Sequence, residues 1–268
     1  MRAHISAAIC TLIGLLVLGC GGRNSGPTVT PPGDHVHGKT RMLEAGGKML
    51  QDKEPLEAIS TYLNAFHWYS GDMGRQVEAH HYCTHGGNED FMQCVVYDGN
   101  GPGARLIGVE YIVSERIFAS LPPEEQRLWH SHQFESKSGT IIFPGLPQAA
   151  ENAVMQHIAN TYGKTWHFWQ VDRGDKLPLG IPQLMMGFTA DGQVDPNLLR
   201  DRDKRFKVNS AEERKKLAKV TTRPVHPAAN AWEKGEVLQL ELRKLDGVQR
   251  SPTPVPSRAA PGATRGGQ

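Results

Sequence analysis

HHYCTHGGNEDFMQCVVYDGNGPGARLIGVEYIV, residues 80–113, carries the pattern that decides the fold. Three runs, 80–83, 92–97 and 106–113, are separated by Gly86-Gly87-Asn88 and by the D-G-N-G-P-G of residues 98–103. The last two are rich in branched and aromatic residues, a strand composition. Short Gly-rich connections favour antiparallel hairpins over crossovers. Side chains alternate faces along a strand, so His81, Cys83 and His85 are predicted to share one face, with His80 and Tyr82 on the other. Imidazole and thiolate are ligands for zinc and other transition metals. Two further positions are placed to join His81. One is the H-x-H of His130 and His132, which an extended segment would present on one face; the other is His167 in W-H-F-W. Glu135 and Asp172 are expected as outer partners of such a site. The same four histidines also suit a structural role, hydrogen-bonded at the edge of an aromatic core around Trp129, Trp166 and Trp169.

Around this stretch the periodicity predicts helices. Leu56, Ile59, Leu63 and Phe66 recur at helical spacing after Pro55, and residues 41–51 read as a helix weakened by Gly46 and Gly47. Ser114 is placed to cap a short helix, and Pro122-Pro123 to start another. Residues 130–139 read as extended. Pro147 opens a helix that Gly163 is expected to close as a left-handed cap. T-W-H-F-W-Q-V and L-M-M-G-F-T read as strands, and S-A-E-E at 210–213 as a capping box with Glu213. Strands joined by turns, plus four or five helices, predict an α+β fold: one domain, a mainly antiparallel sheet with packed helices.

The ends read differently. Arg2 followed by an apolar run from Ala7 to Leu18, too short to span a bilayer, predicts a signal peptide over residues 1–19. The V-L-G-C that follows resembles a bacterial lipobox, with cleavage before Cys20 and lipid on its thiol. An ordinary secretory signal, with Cys20 incidental, fits the same stretch. The lipobox reading makes Cys20 a membrane anchor and places the protein in the cell envelope, on the periplasmic side of the outer membrane where the host has two membranes. Residues 20–38 are rich in Gly, Pro and Thr and read as a flexible tether; residues 250–268 read as a disordered tail. The folded domain is expected over 39–249. Loss of residues 1–19 removes only Arg2 among charged residues, so the net charge falls from +2 to +1, with no nucleic-acid signature.

Cys83 and Cys94 flank one predicted hairpin and suit a disulfide in an exported protein, two buried thiols, or a metal ligand. Asp172 and Asp175 around Arg173 suit a buried ion pair or a turn network better than acid–base work, because no nucleophile stands beside them. Nine Lys/Arg against four Asp/Glu between Arg200 and Lys219 make a local basic patch, read as a solvated helix face or as an attraction to anionic head groups. The sequence has no G-x-S-x-G, no H-E-x-x-H and no phosphate-binding Gly loop. H-S-H with Glu135 is similar to a cupin signature, but the spacing is shorter and no second motif follows.

Longer blocks carry a more specific resemblance. HHYCTH with N-E-D at 88–90, QCVVYD at 93–98 and RLIGVEYIVSERIFASLPPEEQRLWHSH at 105–132 are similar to the oil body-associated protein family. So are YGKTWHFWQVDRGD at 162–175, LPLGIP at 177–182 and LMMGFTADGQV at 184–194. The resemblance spans roughly residues 40–215 and implies residence at a lipid surface, with oil-body stability as the role of the plant members and no catalytic mechanism. It includes plant proteins facing the cytosol, where disulfides are rare. Two functional readings follow: a non-enzymatic, lipid-anchored protein working at a membrane or lipid surface, or a His-cluster metal-binding protein or metal-dependent enzyme holding zinc or another transition metal.

Overall fold

The computed structural model describes residues 30–247. The expected signal segment, Cys20, the first part of the tether and the tail lie outside the described residues. Among the described residues no helix is long and apolar enough to cross a membrane.

Seven strands form the sheet: β1 (Thr61–Tyr69), β2 (Asp72–His85), β3 (Phe91–Tyr97), β4 (Leu106–Ser114), β5 (His130–Ser131), β6 (Thr161–His167) and β7 (Gln183–Met186). All pairings are antiparallel, and six strands close on themselves in the order β1-β2-β3-β4-β6-β7. The short β5 adds to β6 beyond the end of β7: His130 pairs with Gly163, and Thr165 with Met185. The α+β class therefore holds, in the more specific form of a six-stranded antiparallel barrel with helices outside it. The hairpins read at Gly86-Gly87-Asn88 and at 98–103 join β2 to β3 and β3 to β4.

A small barrel has room only for side chains. One end is filled by Leu63, Ala65, Met92, Ile112, Met155 and Ile158 with their neighbours, and the other by Tyr69, Val77, Val96, Ile107, Trp169 and Met185. Cys83 and Cys94 sit opposite each other on β2 and β3 and are joined by a disulfide at the first end.

The helices are α1 (Gly38–Leu50), α2 (Glu54–Glu57), α3 (Glu115–Ala119), α4 (Pro123–Gln126), α5 (Glu135–Ser138), α6 (Gln148–Ile158), α7 (Pro196–Phe206) and α8 (Ser210–Lys216). Ser114 caps α3 by accepting from the Ile117 amide.

Four local expectations change. The helix expected after Pro55 ends at Glu57, and Leu63 and Phe66 belong to β1. That strand is buried on both faces, with Phe66 and Trp68 packed outward against Leu184, Met186 and Phe188, so its sequence does not alternate. Gly163 does not cap α6; it lies within β6 between Ile112 and His130. Residues 130–139 are extended only at His130–Ser131 before turning into α5. The cap of α8 is Asn209, which accepts from the Ala211 and Glu212 amides, while Ser210 is the first helical residue.

Part of the basic patch is bound within the fold. Arg202 is fully buried and donates to Asn64 Oδ1, the carbonyls of Thr140 and Gly139, and Ser210 Oγ. Arg205 pairs with Glu78, Arg214 with Asp191 and Lys216 with Glu213. Arg202 and Arg205 fasten α7 to β1 and β2, Arg214 ties α8 to the loop after β7, and Lys216 pairs within α8 itself, while Lys204, Lys207 and Lys219 stay exposed.

Candidate metal centre

Between the two apolar ends lies a polar layer. β1 supplies His67, β2 His81, β4 Glu110, β5 His130, the residue after next His132, and β6 His167; all are at most 4 % exposed. His81 Nε2 lies 2.8 Å and His67 Nε2 3.6 Å from Glu110 Oε2. His132 Nε2 lies 3.1 Å and His130 Nε2 3.5 Å from Oε1 of the same carboxylate. Four imidazoles thus aim the same ring atom at one carboxylate, two at each oxygen.

The outer bonds fix which nitrogen is available. The Thr161 hydroxyl donates to the Ile158 carbonyl at 2.7 Å, so towards His132 Nδ1, at 2.9 Å, it must accept. His132 therefore carries its proton on Nδ1, and in its neutral form presents a bare Nε2 to Glu110. Two lone-pair acceptors 3.1 Å apart call for a positive charge at the contact, a proton or a metal ion. His67 Nδ1 faces His167 Nε2 at 3.1 Å, an outer contact of the same kind, leaving His67 Nε2 for Glu110.

Burial alone would raise the Glu110 carboxyl, but contacts from His130, His132, His67 and His81 hold it well below the ordinary carboxylate range. Burial lowers His67 to about 4 and also lowers His130, in both cases against the opposing charge of Glu110. It takes His167 well below the usual imidazole range, with His67 and His81 adding to the effect. Neutral imidazole beside an ionised carboxylate is the protonation state a metal ion requires. Burial and the charge of Glu110 push Glu135 the other way, well above the usual carboxyl range, against a backbone hydrogen bond from Phe188. Among the described residues no lysine or arginine pairs with Glu110 or Glu135.

The cluster packs directly against bare backbone. A Cβ built on Gly163 would lie 2.2 Å from Glu110 Oε1, 2.7 Å from His132 Nε2 and 2.9 Å from His130 Nε2. One built on Gly187 would lie 2.5 Å from Glu135 Oε2. A void of about 10 Å³, lined by His67, His81, Glu110, His132, Glu135 and neighbouring aliphatic side chains, is room for roughly one water. The residues fit a cation on donor chemistry: His67, His81 and Glu110 form one set, and Glu110, His130 and His132 another, each with ligand atoms within 4.8 Å of one another.

Of the histidines named from sequence, His81, His130 and His132 converge on Glu110, and His167 stands behind His67. Asp172 does not belong here: it accepts from the Tyr69 hydroxyl and pairs with Arg75 near the surface. Glu135 lies beside His130, the two side chains meeting across Gly187. Cys83 is committed to Cys94 rather than to the cluster. His85 falls at the exposed end of β2, near Glu89 and His157. Sequence reading missed His67, hidden in the expected helix, and Glu110, whose signal was a lone acid inside the apolar run L-I-G-V-E-Y-I-V.

Residues 53–221, which contain the whole cluster, match the family model described as a protein of unknown function, DUF1264. The chain is 49 % identical over 217 residues to oil body-associated protein 1A of Zea mays, covering 80 % of this chain and 90 % of that protein. The chain belongs to the oil body-associated protein family. Oil body-associated protein 1B of Arabidopsis thaliana is 45 % identical over 224 residues, covering 83 % of this chain and 91 % of its own length. Oil body-associated protein 2C of the same plant is 37 % identical over 227 residues, covering 83 % and 95 %. No solved structure matches. In this chain the cluster falls inside the family region, while α1 and Cys20 precede it.

Proposed function

We propose that this member of the family is a metal-binding barrel, holding a divalent transition metal through the Nε2 atoms of His67, His81, His130 and His132 and the carboxylate of Glu110. The observation that carries this reading is the convergence of four imidazole Nε2 atoms, 2.8–3.6 Å away, on one buried carboxylate with which no lysine or arginine pairs among the described residues. An uncompensated buried carboxylate is costly, and pairing or metal ligation is how folded proteins resolve that cost. Zinc, iron and copper all suit imidazole with carboxylate. The role we assign to the ion is structural rather than catalytic. The void beside the ligands admits about one water, and apolar side chains close both ends of the barrel. The test is differential scanning of the chelator-treated protein: added zinc or iron(II) should raise Tm by several degrees, and the Glu110→Ala protein should not respond. No shift with any first-row metal overturns the reading.

A second reading concerns location and rests on α1. Met42, Leu43, Met49 and Leu50 are 65–87 % exposed on this helix, which buries none of its residues. They fall at i, i+1, i+7 and i+8, one apolar stripe, and Lys39, Arg41 and Lys48 provide the charge that complements anionic head groups. With lipid on Cys20 just upstream, the chain would sit on an envelope membrane with α1 in the interface. The names of its relatives point to lipid surfaces as well. Cys20→Ser should convert salt-resistant membrane attachment into weak, salt-sensitive binding, and Leu43→Ser with Leu50→Ser should then abolish flotation with anionic vesicles. Unchanged, salt-resistant attachment of the Cys20→Ser protein would overturn the anchor.

A further inference from the structure

Resting on the metal-binding reading, we propose that the centre holds two divalent ions, bridged by Glu110 with one ion on each carboxylate oxygen. The geometry divides the ligands cleanly. His67 and His81 lie nearest Oε2, at 3.6 and 2.8 Å, and His130 and His132 nearest Oε1, at 3.5 and 3.1 Å. The two three-residue sets share Glu110 and no histidine. A carboxylate that offers its two oxygens to two ions holds them about 3.5–4 Å apart, the separation of two-metal sites.

Each side carries its own mark of a cation. On the Oε1 side it is His132, whose Nδ1 donates to Thr161 Oγ1, so that the neutral ring turns a lone pair on Nε2 towards Oε1 at 3.1 Å. The bare backbone of Gly163 packs directly against these ligands, where a Cβ would meet Glu110 Oε1, His132 Nε2 and His130 Nε2 at 2.2, 2.7 and 2.9 Å. On the Oε2 side it is His81. Its Nε2 is 2.8 Å from Oε2, yet neither of its ring nitrogens makes a hydrogen bond, although the side chain is 1 % exposed. Ring and carboxylate are close without being aligned on each other, the arrangement of two ligands directed at a shared third point.

Glu135, the second buried carboxyl, stands beside His130 at Gly187 and has no lysine or arginine partner among the described residues. The Oε1-side ion has Glu135 as a neighbour, and the Oε2-side ion has His167 behind its ligand His67.

The experiment is metal loading of the full mature protein. Chelator-treated protein is titrated with zinc, desalted and assayed by elemental analysis, and a copper(II)-loaded sample is read by electron paramagnetic resonance. Two zinc ions per chain, with a copper signal broadened by a neighbouring copper and a spin count below one per ion, support the proposal. One ion per chain, with the spectrum of isolated copper, overturns the pair while leaving the metal-binding reading intact. No bound ion overturns both. Gly163→Ala should retain one ion of the two, lost from the Oε1 side; retention of two would contradict the assignment. Should that variant fail to fold, His130→Gln with His132→Gln empties the same side without adding volume, and should likewise retain one.

Discussion

His81 Nε2 stands 2.8 Å from Glu110 Oε2 in the middle of a closed barrel, and neither ring nitrogen of His81 makes a hydrogen bond. In a core otherwise packed with aliphatic and aromatic side chains, such a pair is expensive unless something lies between or beside its members. A cation held jointly by several strands resolves that, and the outer contacts of the cluster yield consequences that can be measured.

Thr161→Val removes the hydroxyl that receives His132 Nδ1, while keeping the shape of the side chain. Outer-shell partners of metal-bound histidines are typically worth about 10–100-fold in affinity. Competition against a chelating dye should show a loss in that range, with far-UV circular dichroism unchanged. An unaltered affinity would separate His132 from the metal.

Arg202→Met should destabilise the fold by roughly 3–5 kcal/mol, because it removes the charge that satisfies two carbonyls, Asn64 and Ser210 in a buried site. Urea unfolding followed by tryptophan fluorescence measures this. A loss below about 1 kcal/mol would mean that the pocket reorganises around the shorter side chain.

The Cys83–Cys94 bridge spans 11 residues of one hairpin. Closing so short a loop contributes about 2–3 kcal/mol in the chain-entropy account. Double substitution to alanine, or reduction before unfolding, should lower the urea midpoint accordingly. Equal midpoints for oxidised and reduced protein would show that the hairpin is held by its strands alone.

Acid should weaken the contact between β2 and α7. Burial would raise the Glu78 carboxyl, but hydrogen bonds and charge from His80 and Arg205 take it from 4.5 to about 2. A carboxyl depressed by folding contributes stability above its unfolded value, and that contribution disappears as pH falls from about 4.5 towards 2. The stability of wild type should decline through this window more steeply than that of Glu78→Gln. Parallel curves would remove Glu78 from the acid response.

Much of the barrel was legible. The runs at 92–97 and 106–113, with Gly-rich turns between them, gave β3 and β4 with their antiparallel pairing, because hairpin signals are local. Closure of six strands was not legible, since it depends on β4 meeting β6 about fifty residues later in the chain. β1 was misread because burial on both faces erased its alternation and left a chance helical spacing. α7 was overlooked although Asp195-Pro196 is a good helix start: Asp195 accepts from the Asn197 amide. The H-x-H at His130 and His132 pointed to its site through strand parity alone. Glu110 could not be ranked above other acids from sequence, because its importance lies in which four rings surround it.

The most direct test of the account is the metal content of the mature protein, purified without chelators, with Glu110→Gln as its control. The expected result is at least one equivalent of zinc, iron, copper or manganese per chain in wild type, and a near-zero content in the variant. A wild-type protein that stays folded with none of these metals, and takes up none after incubation with each, would contradict the central claim.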